Sequence, residues 1–169
     1  SIANSAGIIG WPDTHADVVR PGIMLYGVTP FNVGTGLDYQ LEPVMTLCSE
    51  LIAVNFQKKD SPIGYGGEFV CPEDMPVGVV AIGYGDGYPR HAKNGTPVLV
   101  NGKRAELIGR VSMDMICVDL RQHPDAKVGD PVVLWGEGLP IEKVARSADT
   151  IGYELLCHVT QRVKFVDKN

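Results

Sequence analysis

The stretch "VLVNGKRAEL", residues 98–107, decides the fold class, because it predicts two strands joined by a tight turn. A β-branched run precedes Asn101-Gly102, and a second strand pattern follows it. Asn-Gly between two strand patterns is the strongest short-range signal for a β-hairpin. We therefore predict an antiparallel pair of strands at this point of the chain.

Further strand patterns lie on both sides of this hairpin. They are "VMTLCSELIAVNF" (44–56), "VGVVAIGYG" (77–85), "GRVSMDMICVDL" (109–120) and "VGDPVVLWG" (128–136). In the first, the partial alternation predicts four inward side chains, those of Met45, Leu47, Leu51 and Ala53. The third alternates apolar and polar residues through Val111, Met113, Met115 and Cys117. The body of the chain is therefore predicted to be mainly β and antiparallel, with a barrel-like arrangement.

Two short helices are predicted near the end of the chain. In "LPIEKVARSA" (139–148), Pro140 is placed in the first helical turn. In "DTIGYELLCHVTQRV" (149–163), Asp149 or Thr150 is the predicted N-cap. Residues 28–42 are rich in glycine, proline and polar side chains without a clear period, which predicts a linker. Residues 1–27 are predicted to contain two strand-like elements around a loop.

Composition excludes several classes of protein. The net charge of −5, from 15 basic and 20 acidic residues, argues against a nucleic-acid or membrane-surface binder. No apolar run approaches the length that spans a bilayer. The four cysteines form no C-x-x-C pair, which favours reduced, buried thiols in a cytoplasmic protein. The four histidines lack metal-ligand spacing, so we expect surface positions and no metal site.

Several segments have both a structural and a chemical interpretation. "GYGDGYPR" (83–90) lacks the G-x-G-x-x-G spacing, so a turn packed by Tyr84 and Tyr88 is favoured over a dinucleotide site. Asp114 is most simply an outward-facing carboxylate. Tyr65, among the glycines of "SPIGYGGEFV" (61–70), suits a turn, a ligand surface or a chemical step.

Two residues of the N-terminal region have the same double interpretation. Ser5 could offer its hydroxyl to a phosphate, and Arg20 could face a planar ring or an anion. Taken singly, each is as well explained as a loop residue.

Taken together, the segments resemble the alanine racemase family of pyridoxal-phosphate enzymes, in its proteobacterial version. The matching stretches are "ANSAG" (3–7), "VRPGIMLYG" (19–27), "IGYGG" (63–67), "GYGDGYPR" (83–90), "GRVSMDM" (109–115), "GDPVVLWG" (129–136) and "YELLCHVTQRV" (153–163). They follow the family's order and cover nearly the whole chain. The resemblance implies an N-terminal TIM-type (β/α)8 barrel followed by a C-terminal β domain.

This architecture assigns the parts of the chain. Residues 1–27 would be the last strands of the cofactor-binding barrel, 28–42 the linker, and 43–169 the entire C-terminal domain. The lysine that holds the cofactor covalently lies in a barrel motif that this chain does not contain. We therefore expect a piece of a longer polypeptide that is inactive alone. Barrel strands without neighbours would leave backbone groups unpaired, so we expect residues 1–27 to be disordered, re-paired or held by another chain.

The resemblance also implies a catalytic role for Tyr65. It would be the second base, which takes the Cα proton of L-alanine within the partner subunit's site of a head-to-tail homodimer. Because a free tyrosine has a pKa near 10, positive charge or hydrogen bonding must stabilise its phenolate.

The other site residues are implied position by position. Ser5, the backbone N–H groups of Gly22 and Ile23, and Tyr153 would bind the cofactor phosphate, and Arg20 would face the pyridine nitrogen. Three more would be donated across the dimer, namely Met113, whose N–H binds the substrate carboxylate, Asp114 beside it and Tyr84 at the entry. The tail departs from the family, because "RVKF" from Arg162 stands where "RVPR" is usual.

Two alternatives remain beside this resemblance. A related decarboxylase of basic amino acids would share the barrel-plus-β architecture, but "IGYGG" and "GRVSMDM" argue against it. A non-enzymatic β-barrel binding module is not excluded by composition.

Overall fold

A computed structural model describes residues 1–167, which contain eight strands and three α-helices. The strands are β1 (Leu47–Gln57), β2 (Pro62–Ile63), β3 (Phe69–Val70), β4 (Met75–Val80), β5 (Pro97–Val100), β6 (Lys103–Ile108), β7 (Ile116–Asp119) and β8 (Pro131–Trp135). The helices are α1 (Ser5–Gly10), α2 (Ile141–Ser147) and α3 (Gly152–His158).

Six of the strands close into a barrel in the order β1-β4-β7-β6-β5-β8, with antiparallel pairing throughout. The remaining two, β2 and β3, form a separate small sheet. The predicted hairpin is present, since Val100 pairs with Lys103 across Asn101 and Gly102, whose φ angles are 50° and 74°. Positive φ at both turn residues matches the twist of the strands. The prediction of a mainly β, antiparallel, barrel-like domain with two short helices near its end is confirmed.

The barrel interior is filled by alternate side chains of its strands. Leu51, Val98, Leu107, Val118 and Leu134 are completely buried there. A smaller apolar cluster lies outside the barrel, where β2 and β3 cover Met75 and Ile108. Burial of this apolar surface is the main stabilising contribution of the domain.

The alternation within β1 is confirmed at Leu47 and Leu51, while Met45 and Ala53 are half-buried. The alternation through "GRVSMDMICVDL" was wrong as a description of one continuous strand. β7 begins only at Ile116, and its buried side chains are Ile116 and Val118.

The segment before β7 is a turn. The Ser112 hydroxyl donates to the Met115 carbonyl at 2.8 Å and accepts from its N–H at 3.1 Å. This local bonding replaces ladder hydrogen bonds. Met113 and Met115 consequently stand half-exposed in front of the strand.

Both predicted helices are present, with ends that differ from the expectation. Pro140 precedes the first turn of α2 as its N-cap. α3 is capped by Ile151, because Asp149 has a left-handed φ of 55° and belongs to the preceding turn. Thr150 instead contacts the Glu154 carboxylate.

The prediction of strands in residues 1–27 was wrong. This region contains α1 and two short 3-10 turns, Pro12–Thr14 and Ile23–Tyr26. Asn4 caps α1 by accepting the Gly7 N–H at 3.0 Å. Residues 1–27 were expected to be disordered, re-paired or held by another chain. The structure shows no disordered strands there, because the backbone forms local helical turns.

Residues 28–42 contain one 3-10 turn, Gly36–Tyr39, and are tied to α2. The buried Glu142 carboxylate accepts the N–H groups of Thr29 at 2.9 Å and Gly36 at 2.8 Å. The boundaries at 27 and 42 stay predictions, and the predicted domain end at residue 169 lies outside the described residues.

The expectation that every cysteine is buried was wrong for two of the four. Cys48 and Cys157 are exposed, whereas Cys71 is buried and Cys117 half-buried. Burial raises the thiol pKa of Cys71 and Cys117.

The expectation of surface histidines was wrong for one residue. His123 is buried, with its Nε2 2.9 Å from the Arg104 carbonyl. Within residues 1–167, no group of three or more His, Cys, Asp or Glu side chains is placed to hold a metal ion. No helix in that range has both the length and the apolar character needed to cross a bilayer.

Candidate active site

The first group of candidate residues surrounds the Ser5 hydroxyl. Ser5 is buried at the start of α1, and its Oγ accepts the N–H of Gly22 at 2.9 Å and that of Met24 at 3.3 Å. Ile23 lies between these two donors. The family resemblance implied a common site for Ser5, Gly22 and Ile23, and the structure places these three residues together.

This donor set suits a phosphate. Consecutive backbone N–H groups that point to one centre form an anion-binding concavity, and a serine hydroxyl adds a further donor. The N–H groups of Gly22 and Met24, which are two positions apart, both point to Ser5 Oγ. They therefore fit the phosphate of pyridoxal phosphate, which the family resemblance implies.

Arg20 lies beside this group, and Tyr153 is carried by α3. The Arg20 N–H donates to the Ala3 carbonyl at 2.8 Å, which fixes Arg20 beside the Ser5 segment, and its side chain is exposed. Tyr153 is in the first turn of α3, 42% exposed. A Cβ at the neighbouring Gly152 would lie 2.7 Å from the Val28 side chain, so the start of α3 packs against Val28.

The second group is carried by two loops that pair through their backbones. The entry loop is residues 83–87, and the carboxylate loop is residues 109–115. The Tyr84 N–H donates to the Ser112 carbonyl at 3.0 Å, and the Gly85 N–H donates to the Met113 carbonyl at 2.9 Å. A Cβ at Gly83 would lie 2.3 Å from the Ser112 carbonyl oxygen, so this close approach requires glycine.

The entry loop and the carboxylate loop place Tyr84, Met113 and Asp114 together at the surface. Tyr84 is 41% exposed and Met113 51% exposed, and both are therefore accessible to a ligand or to a second chain. The Arg90 guanidinium lies 6.0 Å from the centre of the Tyr84 ring, a cation–π contact that orients the ring.

Tyr65 lies on a third loop that rests on the carboxylate loop. It begins a short 3-10 turn between β2 and β3, and its side chain is 68% exposed. Gly64, with φ 73°, packs so closely that a Cβ there would lie 2.9 Å from the Arg110 nitrogen. Arg110 also pairs with Glu68, and this hydrogen bond lowers the Glu68 pKa. Gly64 therefore allows this loop to pack closely against residues 109–110, while the Tyr65 side chain stays exposed.

Sequence reasoning missed Arg162, which joins the entry and carboxylate loops. Its Nη2 lies 2.6 Å from Asp114 Oδ1, and its Nε lies 3.2 Å from Asp86 Oδ1. The hydrogen bond to Asp114 raises the Arg162 pKa. No local signal could have found it, because Arg162 lies 48 positions from Asp114 in the sequence.

Ser5, Arg20, Gly22 and Ile23 form one assembly, and Tyr84, Met113 and Asp114 form another with Tyr65 beside it. Among residues 1–167, no hydrogen bond or ion pair joins the two assemblies directly. In the same range, no hydrogen bond is made by the Tyr65 hydroxyl. The phenol that was predicted to act as a base therefore faces outward without a partner from its own described chain.

Comparison with known proteins identifies the family of this arrangement. The family model of the alanine racemase C-terminal domain matches residues 44–167, and that of the N-terminal domain matches residues 1–30. The alanine racemase of Nitrosococcus oceani is 61% identical over 163 residues, covering 96% of this chain and 46% of the relative. That of Coxiella burnetii is 55% identical over 172 residues, covering 99% and 47%.

Solved structures show the same likeness. The biosynthetic alanine racemase from Pseudomonas aeruginosa superposes with a TM-score of 0.93 at 50% identity, over 95% of this chain and 45% of that one. The alanine racemase from Bartonella henselae, solved with covalently bound pyridoxal phosphate, gives 0.85 at 35% identity, over 96% and 45%. The chain thus spans about half the length of the relatives it matches. It belongs to the alanine racemase family.

Proposed function

We propose that this chain supplies the C-terminal part of a pyridoxal-phosphate-dependent alanine racemase, in which Tyr65 is one of two acid/base groups. The observation that carries the proposal is the outward projection of a phenol beside the paired loops of Tyr84 and Met113. An exposed tyrosine on a glycine-flanked loop can enter a neighbouring subunit without displacing core packing. The substrate is alanine, interconverted between its L and D forms.

The chemistry divides between the cofactor and the protein. When bound, pyridoxal phosphate supplies the electron sink that makes the Cα proton of alanine removable. The Tyr65 oxygen takes that proton from L-alanine, and a base on the opposite face returns one, so the configuration inverts. The base on the opposite face is the lysine of the family's N-terminal barrel.

Binding and orientation fall to the other residues. The Ser5 hydroxyl, the N–H groups of Gly22 and Ile23, and the Tyr153 hydroxyl hold the cofactor phosphate. Arg20 would face the pyridine nitrogen and disfavour its protonation, because its guanidinium is a cationic donor.

The paired loops complete the site of the partner subunit. The Met113 N–H holds the substrate carboxylate, with Asp114 beside it and Tyr84 at the entry. The assembly is a head-to-tail homodimer, which is supported by the absence, among residues 1–167, of any hydrogen bond or ion pair between the Ser5 assembly and Tyr65 or these loops. The enzyme is cytoplasmic and supplies D-alanine for peptidoglycan or serves alanine catabolism.

The test uses a chimera in which this chain replaces the matching part of the Nitrosococcus oceani relative. The chimera is expected to racemise alanine, and the isolated chain is expected to be inactive because it lacks the lysine. Tyr65→Phe should lower L-to-D turnover by about 10²-fold or more, since a positioned acid/base group contributes that much, with cofactor absorbance retained.

The matched control is Tyr39→Phe, which removes one phenolic hydroxyl from an aromatic contact with Phe31. Its turnover should equal that of the parent chimera. Unchanged L-to-D turnover in Tyr65→Phe would reduce Tyr65 to a scaffold residue. A parent chimera that binds cofactor yet does not racemise would contradict the proposed function as a whole.

A further inference from the structure

The chain that follows α3, which we call the strap (residues 159–163), lies across the entry loop. The Thr160 N–H donates to the Asp86 carbonyl at 3.1 Å, and the Thr160 hydroxyl donates to the Gly85 carbonyl at 2.9 Å. A Cβ at Gly87 would lie 2.2 Å from the His158 carbonyl oxygen. Residues 158–160 are therefore in contact with the backbone of residues 85–87.

From the strap, the Arg162 guanidinium reaches carboxylates on both loops. Its Nη2 lies 2.6 Å from Asp114 Oδ1 and its Nε 3.2 Å from Asp86 Oδ1. The second oxygen of Asp86 accepts the Gly83 N–H at 2.9 Å, so one of the bridged carboxylates also fixes the start of its own loop. The planar fork of arginine suits this double contact better than an ammonium does.

The guanidinium also covers Gly85. A Cβ at Gly85 would lie 2.3 Å from Arg162 Nη1, and the Gly85 N–H is the group that donates to the Met113 carbonyl. Arg162 therefore contacts one of the two residues whose N–H groups hold the carboxylate loop. This contact places a positive charge beside the turn that carries Met113 and Asp114.

We propose that Arg162 is a positioning residue for substrate binding. It holds the turn at Met113 and Asp114 against the entry loop and balances the Asp114 charge next to the place where an anionic carboxylate binds. This role rests on the proposed function, because it acts on the Met113 N–H assigned there. Arg162 is itself 48% exposed in its side chain, so its removal leaves the barrel core intact.

The test compares Arg162→Met with Arg121→Met in the chimera. Arg121 is the matched control, because it also pairs with two carboxylates, Asp119 and Glu73, each at 2.7 Å, and lies outside the proposed site. Arg162→Met should raise the KM for alanine about tenfold, with a smaller change in kcat and unchanged cofactor absorbance. Arg162→Lys should restore part of the loss, and Arg121→Met should match the parent.

Salt gives a second readout. Because exposed ion pairs are screened, raising KCl should raise the KM of the parent and leave that of Arg162→Met nearly constant. An equal KM in Arg162→Met and the parent would overturn the proposal. A loss in kcat alone would overturn it too.

Hydrogen exchange tests the positioning role of Arg162 independently of the racemase activity. The Tyr84 and Gly85 amides, which bond the carboxylate loop, should exchange at least about threefold faster in Arg162→Met than in Arg121→Met. This comparison does not need turnover. An inactive parent chimera would contradict the racemase assignment, whereas equal exchange in the two variants would contradict the positioning role.

Discussion

The barrel and the N-terminal region, residues 1–27, are stabilised in different ways. The barrel strands pair with one another around a closed sheet, and their buried side chains form one core with those of α2 and α3. The N-terminal region contributes Ile23 to the main core but is held mostly by local hydrogen bonds, such as that from Arg20 to Ala3, and exposes large apolar side chains. These are Ile2, Trp11, Val18, Val19, Leu25 and Tyr26.

The two regions differ in how far the chain's own sequence determines their structure. A closed antiparallel barrel leaves few backbone groups that need another chain, so its sequence specifies its own packing. The N-terminal region contains the Ser5 assembly but not enough buried apolar surface to fix it independently. We infer that the phosphate-binding geometry depends on contacts that this chain does not make with itself.

The largest effect predicted by this comparison concerns two leucines. Leu107 is fully buried in the barrel, and Leu25 is 60% exposed in the N-terminal region. Leu107→Ala should lower the free energy of unfolding by about 2–5 kcal/mol, because it removes buried methyl groups and leaves a cavity. Leu25→Ala should change it by less than about 0.5 kcal/mol. Urea unfolding followed by circular dichroism measures both, and equal losses would remove the distinction between the regions.

A smaller effect is expected where the linker meets the barrel. Glu142→Ala leaves the buried N–H groups of Thr29 and Gly36 without their acceptor, which should cost about 1–3 kcal/mol. Limited proteolysis should then cleave within residues 28–42 faster than in the parent. Glu42→Ala, an exposed carboxylate in the same linker, is the control and should leave the cleavage rate unchanged. Equal cleavage rates in the two variants would show that Glu142 does not hold the linker.

The sequence predicted those parts of the fold that local chemistry determines. Asn101-Gly102 predicted its hairpin because both residues tolerate positive φ. The strand register before β7 was missed, because the alternation of Met113 and Met115 continues through a turn that Ser112 closes by its own hydrogen bonds. α1 differs from the predicted strand because a short apolar run suits a strand or a helix equally, whereas the Asn4 cap favours a helix.

The candidate site was less accessible to sequence reasoning. Tyr65 and Ser5 were assigned by resemblance, since spacing alone left each open to a turn or loop interpretation. The approach of Tyr84 to Met113 depends on backbone hydrogen bonds between distant loops, and no local pattern encodes it. Arg162 meets Asp114 across 48 positions of sequence, so its role becomes visible only in the folded chain.

The smallest expected effect is a pH dependence of the barrel turns. Asp130 Oδ2 accepts the Lys127 N–H at 2.9 Å and the Asn101 side-chain amide at 2.7 Å, and these bonds lower its pKa. A carboxyl whose pKa is lower in the folded chain stabilises the fold above its ordinary value near 4. That contribution is lost as the pH falls below 4 through the lowered pKa.

Asp130→Asn should therefore be less stable than the parent at pH 7, and the difference should shrink between pH 4 and pH 2. Thermal unfolding at a series of pH values measures this convergence. Asp125→Asn, in the same loop, is the control, because within residues 1–167 its side chain makes no hydrogen bond. A stability difference for Asp130→Asn that stays constant down to pH 2 would contradict this prediction. It would mean that the negative charge of Asp130 does not contribute to the free energy of unfolding.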